Sequence, residues 1–99
     1  MSEPQDHSSA GSRSEIQEAY DWYNLHYLGL GDEFLDHVDV AFEKISQYPN
    51  SAPIVYRDIR RYLVERFPHS ILYIVEPTGI VVLAVYHGRR SPVGWKDRR

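Results

Sequence analysis

The chain has 99 residues, a formal net charge of -3 and no cysteine, which leaves room for one domain with one core and excludes both a disulfide framework and a thiolate metal site. No apolar run approaches the length of a membrane span and the polar N-terminus has no signal-peptide character, so the sequence reads as a soluble cytoplasmic domain with no membrane partner. Charge is unevenly spread: residues 1–50 carry ten acidic side chains against Arg13 and Lys44, while residues 51–99 carry nine basic side chains against four acidic ones.

Residues 1–13 are rich in Ser, Gly and Pro without apolar periodicity, and are expected to form a disordered tail ahead of a single domain over 14–99. Ser14 and Gln17 have the form of a capping box. Behind them Ile16, Ala19, Tyr20, Tyr23 and Tyr27 recur at helical spacing, which predicts an amphipathic helix over 15–27. The tyrosines share a stripe with aliphatic residues, so they read as core and not as a base-stacking ladder. Trp22 lies off the stripe, where it either covers the hairpin turn or meets a partner. Gly29-Leu30-Gly31 breaks the chain. A second helix is predicted over 32–47, with Phe34, Leu35, Val38, Ala41, Phe42 and Ile45 on one face and acidic residues on the other. The short link makes an antiparallel helical hairpin.

Pro49, Asn50, Ser51 and Pro53 then form a loop, and the periodicity changes. Residues 59–65 alternate as a strand with one wetter face, and 70–76 are rich in β-branched and aromatic residues. Pro77-Thr78-Gly79 is a hairpin turn. Residues 80–87 are apolar almost throughout, as in a central strand covered on both faces. The expected fold is therefore α+β, a helical hairpin packed on a small, three-stranded antiparallel sheet, followed by a basic, turn-rich tail.

Several segments taken together resemble the ParE/RelE superfamily of type II toxins, the ParE-like plasmid-stabilisation type. They are Glu18-Ala19-Tyr20-Asp21-Trp22-Tyr23, Gly29-Leu30-Gly31-Asp32-Glu33-Phe34, Ile45-Ser46-Gln47-Tyr48-Pro49, Tyr56-Arg57-Asp58-Ile59-Arg60-Arg61, Arg66-Phe67-Pro68-His69-Ser70-Ile71-Leu72-Tyr73, and the closing Val85-Tyr86-His87-Gly88-Arg89-Arg90-Ser91-Pro92 with Trp95 and Arg98. Their order and spacing span residues 15–99. The resemblance implies a growth-inhibiting toxin held by a cognate antitoxin, as a hetero-oligomer with it or as a homodimer. ParE-like members act on DNA gyrase; RelE-like members share the fold and cleave mRNA on the ribosome. The family also begins with a β-strand ahead of the first helix. Here Ser8–Arg13 offers nothing for a core, so that strand is expected to be missing and a sheet edge to be left open. An inactive remnant that still captures antitoxin is a third reading.

RNA cleavage requires a general base, a general acid and cations on the scissile phosphate. The candidates are His87, Arg61 and Arg60, with His69 and Glu65 near them. In ribonuclease-type relatives an Arg opens the strand that here begins at Ser70, and an aromatic acid stands near the position of Gly88. Neither is present, so the toxin is read as a binder of its target and not itself an enzyme. The five histidines lack metal-ligand spacing and no glycine cluster forms a phosphate loop, so neither metal nor cofactor is expected. Arg57, Arg60, Arg61, Arg89, Arg90 and Arg98 are the candidates for contact with an anionic target or an acidic antitoxin segment. Trp95 is either an anchor in that contact or a cap on the core.

Overall fold

The computed structural model describes residues 10–88, with side chains from residue 13 onward. Helix α1 (Ala10–His26) and helix α2 (Leu30–Gln47) form the hairpin. α1 starts ahead of the expected first turn, so Ser14 lies inside the helix instead of capping it. Gln17 donates to Asp21 Oδ1 at 3.1 Å, an i,i+4 pair along the helix surface. Tyr23 is buried and Ile16, Ala19 and Tyr20 are half-buried, as the stripe predicts. Tyr27 departs from it: the helix stops at His26, and Tyr27 is 71% exposed. Leu30 N–H bonds to the Tyr27 carbonyl, and Gly29 adopts a φ of 88°, which turns the chain sharply into α2. α2 buries Phe34, Val38, Ala41 and Ile45, one residue per turn, and ends just before Pro49.

Four strands follow: β1 (Ile54–Tyr56), β2 (Ile59–Leu63), β3 (His69–Glu76) and β4 (Gly79–His87). They form one antiparallel sheet in the order β1-β2-β3-β4. The sheet therefore has one strand more than the sequence predicts. β1 is only three residues long, too short for an alternating pattern, and it pairs with β2 through a tight turn in which Arg57 has a φ of 54°. A second correction concerns β4, which among the described residues lies at an edge of the sheet and not at its centre. Its apolar run arises because Val82 and Val85 face the helices while Leu83 and Ala84 join a cluster on the other side. The interior strands are β2 and β3, and the first six residues of β3 are all buried.

The main core lies between the helices and one sheet face. Tyr23, Phe34, Val38, Ala41 and Ile45 meet Ile71, Tyr73, Val82 and Val85 there. Burial raises the Tyr73 phenol above its ordinary pKa, so it stays protonated and donates to the Pro49 carbonyl at 2.7 Å. That bond ties the loop after α2 to the sheet centre.

No strand pairs with the outer edge of β4 among the described residues. Ala10–Arg13 enters α1, so the last four residues of the stretch read as lacking strand character are helical. Val85 N–H donates to Glu15 Oε1 at 2.9 Å. A helix carboxylate thus takes an outward-facing amide of this edge.

Candidate functional site

A cavity of about 410 Å³ opens where α1 crosses the C-terminal end of β4. Glu15, Glu18, Ala19 and Trp22 line it from the helix; His69, Val85, Tyr86 and His87 line it from the sheet, with Tyr23 between. The helical members sit at i, i+3, i+4 and i+7, one face of α1.

Two histidines meet at this cavity because of an irregularity in the β3–β4 ladder. From the turn, Glu76 pairs with Gly79, Val75 with Ile80, Ile74 with Val81 and Tyr73 with Val82. A bulge follows, so that Leu72 pairs with Ala84, one residue further along β4. Without that extra residue Tyr86 would stand opposite His69. With it, His87 does, on the same face. The rings lie 5.2 Å apart at 85°.

His69 is buried among Phe34, 4.8 Å away, and Tyr23, 5.8 Å away. Its Nδ1 has no hydrogen-bond partner among the described residues. Burial, and secondarily the charge of His87, lower its pKa from 6.5 to about 4. His69 is therefore neutral at physiological pH. Trp22 stacks on His26, 4.0 Å between centroids, and is more than half exposed at the cavity rim.

The sequence-predicted arginines are not assembled around this cavity. Arg60 faces the helices, and its guanidinium donates to the Asn50 and Ala52 carbonyls at 3.1 and 2.6 Å. It pairs with Tyr73, four residues along β3 from His69, a separation of about 13 Å at roughly 3.3 Å per residue. Arg61 pairs with Leu72 and so points to the opposite face. Arg57 lies in the β1–β2 turn, its guanidinium carbon 5.2 Å from the centre of the Tyr56 ring. Arg89, Arg90, Trp95 and Arg98 lie outside the described residues.

The sequence singles out His69 and His87 but not their pairing, nor the carboxylates of Glu15 and Glu18 beside them. The spacing of α1 places the two glutamates on one face, a signal that could have found them. The bulge that aligns the histidines has no signature in the sequence, since Leu83 sits in an uninterrupted apolar run. Among the described residues no group of three or more His, Asp or Glu side chains could hold a metal ion, and no helix is long and apolar enough to cross a membrane.

Residues 9–92 match the family model described as the ParE toxin of the type II toxin–antitoxin system parDE. The chain is also similar to a solved structure from the chromosomal ParDE TA system of P. aeruginosa, with a TM-score of 0.73 and 16% identity over 83% of this chain and 92% of that one. At that identity the likeness is one of fold. None of the curated proteins compared with the chain matches it.

Proposed function

The chain belongs to the ParE toxin family of type II toxin–antitoxin systems, and we propose that it inhibits growth by binding DNA gyrase and is neutralised by a cognate antitoxin. The observation that carries binding over RNA cleavage is the setting of the imidazoles. His87 and His69 share a cavity with Glu15 and Glu18, whose carboxylates repel a phosphodiester. The Arg60 guanidinium is committed to backbone carbonyls of the loop before β1. A cleaving site needs cations where negative charge develops, and these residues do not supply them to His87.

An anionic partner surface is better met elsewhere. Arg57 and Arg61 stand away from the acidic cavity, and Arg89, Arg90 and Arg98 add charge of the same sign. These arginines are the proposed contacts for the target or for an acidic antitoxin segment, and salt should weaken that contact. The outer side of β4, with which no described strand pairs, is the proposed place for an extended antitoxin segment to add, a common mode of peptide capture. The similar solved chain comes from a toxin–antitoxin system, which supports an antitoxin as partner.

The test is induced expression in a bacterial host, following incorporation of labelled thymidine and labelled methionine over the first minutes. DNA synthesis should stop first while translation continues, and purified protein should inhibit supercoiling by gyrase. A first stop in translation would sink the gyrase reading in favour of RNA cleavage.

A further inference from the structure

The cavity between α1 and β4 has polar walls of one kind. Glu15 and Glu18 reach it from the helix and the two histidines from the sheet, and among the described residues no Lys or Arg lines it. Residues 14–43, which hold most of α1 and α2, contain no Lys or Arg at all. His69, a wall of the cavity, is 5% exposed, and its Nδ1 has no hydrogen-bond partner among the described residues. Burial keeps this ring neutral, so in the tautomer with its proton on Nε2 the Nδ1 lone pair is an acceptor. The Val85 N–H at the same wall is already taken by Glu15. A buried acceptor left unpaired carries a desolvation cost that a donor on a ligand would remove.

Acceptors and negative charge together select a ligand made of donors and positive charge. A bare metal ion does not fit, since no group of three or more His, Asp or Glu side chains among the described residues could hold one. Trp22 narrows the choice. It follows Glu18 at i+4, so carboxylate and indole are neighbours on one helix face, and the residue is 55% exposed at the mouth. His26, stacked on the indole at 4.0 Å between centroids, steadies the ring. A guanidinium is flat, weakly hydrated and purely a donor; it forks onto a carboxylate and stacks on an indole face. An ammonium has neither the fork nor the plane. The volume of about 410 Å³ suits a small ligand, within the range of about 300–1,000 Å³ for such sites.

We propose that this cavity binds a guanidinium-bearing ligand, with the planar cation held by Glu18 and the Trp22 indole and a further N–H satisfying His69 Nδ1. The site is separate from the proposed arginine contacts and stands whether or not gyrase is the target.

The experiment uses the full chain, isotope-labelled at the histidine and tryptophan ring nitrogens and followed by magnetic resonance. It is titrated with agmatine, a free guanidine, and with N-acetylarginine methylamide, which presents the same group as an arginine side chain. Either should shift the His69 and Trp22 resonances together along a saturable curve, with His69 Nδ1 moving upfield as its lone pair accepts a hydrogen bond. The tighter of the two probes identifies a free molecule or a partner's arginine as the source. Putrescine, with two ammonium ends, should bind several-fold more weakly than agmatine, and inorganic phosphate should not bind. Glu18→Gln should weaken agmatine binding about tenfold, the scale of one charge-assisted contact. Trp22→Leu should weaken it as well and serves alone if Glu18→Gln does not fold; both positions are exposed, so neither change touches the core. Putrescine binding as tightly as agmatine, or shifts that leave His69 unmoved, would mean diffuse attraction to an acidic surface and overturn the site. Saturable binding of phosphate, or no shift with either guanidine at millimolar concentration, overturns it too.

Discussion

His69 stands opposite His87 across the β3–β4 ladder, with ring centroids 5.2 Å apart and planes at 85°. The pair joins two environments. His69 is enclosed by Tyr23 and Phe34 of the aromatic core, whereas His87 is exposed at the cavity between α1 and β4. Burial first, and the neighbouring His87 second, raise the cost of placing a charge on the His69 ring.

This arrangement predicts a specific acid sensitivity. Burial and the neighbouring His87 depress the His69 pKa to about 4 in the folded chain, against 6.5 when unfolded. The unfolded state therefore binds the proton more readily. The stability contribution is fully present above pH 6.5 and is lost as pH falls towards 4. The loss amounts to about 3 kcal/mol at pH 4 relative to pH 8. Urea unfolding of wild type and His69→Phe across this range should give profiles that diverge by that amount as pH falls. Parallel profiles would remove His69 as the titrating group.

The hairpin predicts two glycine effects of different origin. A Cβ on Gly31 would lie 2.6 Å from the Tyr20 carbonyl oxygen and 2.7 Å from Asn24 Cγ, and Gly31 N–H already donates to Asn24 Oδ1. Gly31→Ala must push the helices apart, at about 1–3 kcal/mol by analogy with overpacking. Gly29 meets no atom but has a φ of 88°, so Gly29→Ala costs about 1–2 kcal/mol of backbone strain. Denaturant midpoints of the two variants check both. The mechanisms separate on adding Asn24→Ala, which should recover part of the Gly31 loss and none of the Gly29 loss.

Helix positions are legible in the sequence because the period-3.6 patterns are long. Phe34, Val38, Ala41 and Ile45 could face only one way, and all four are buried. β1 is not legible, since three residues cannot display an alternation. β4 is misread as central for a physical reason: a strand covered on both faces looks the same whether it lies at the centre or at the edge, and sequence does not report which. Tyr27 shares the stripe of Tyr20 and Tyr23 but falls past the last turn of α1. The cavity is the least readable feature, because it depends on the bulge near Leu83 and on α1 lying beside β4. Arg60 is legible as a cation and not as a staple, since the carbonyls of Asn50 and Ala52 leave no trace in composition.

That staple gives a third prediction. Arg60 donates one guanidinium nitrogen to both carbonyls, fixing the loop between α2 and β1. Arg60→Ala should lower unfolding stability by about 1–2 kcal/mol, in the range of charge-assisted hydrogen bonds at a partly exposed site. Arg60→Lys should restore only part of it, because an ammonium on a flexible four-carbon stem is not held where the rigid guanidinium holds its one donating nitrogen. Thermal melts of the two variants decide the matter. If instead the melts are unchanged while growth inhibition is lost, Arg60 is a contact residue.

The last prediction concerns the edge of β4. An open edge strand is a template for pairing with another chain, and proteins place charges or side-chain acceptors there to blunt it. Glu15 does so by accepting Val85 N–H at 2.9 Å. Glu15→Ala leaves that amide without its acceptor, which should cost about 1–2 kcal/mol and promote self-association through the edge. Glu15→Gln keeps a carbonyl oxygen at the same reach and should stay close to wild type in both respects. Sedimentation velocity at several concentrations reads the association, and urea unfolding reads the stability. Association that rises equally in the Gln and Ala variants would mean that lost charge repulsion, and not the hydrogen bond to Val85, had kept the edge closed.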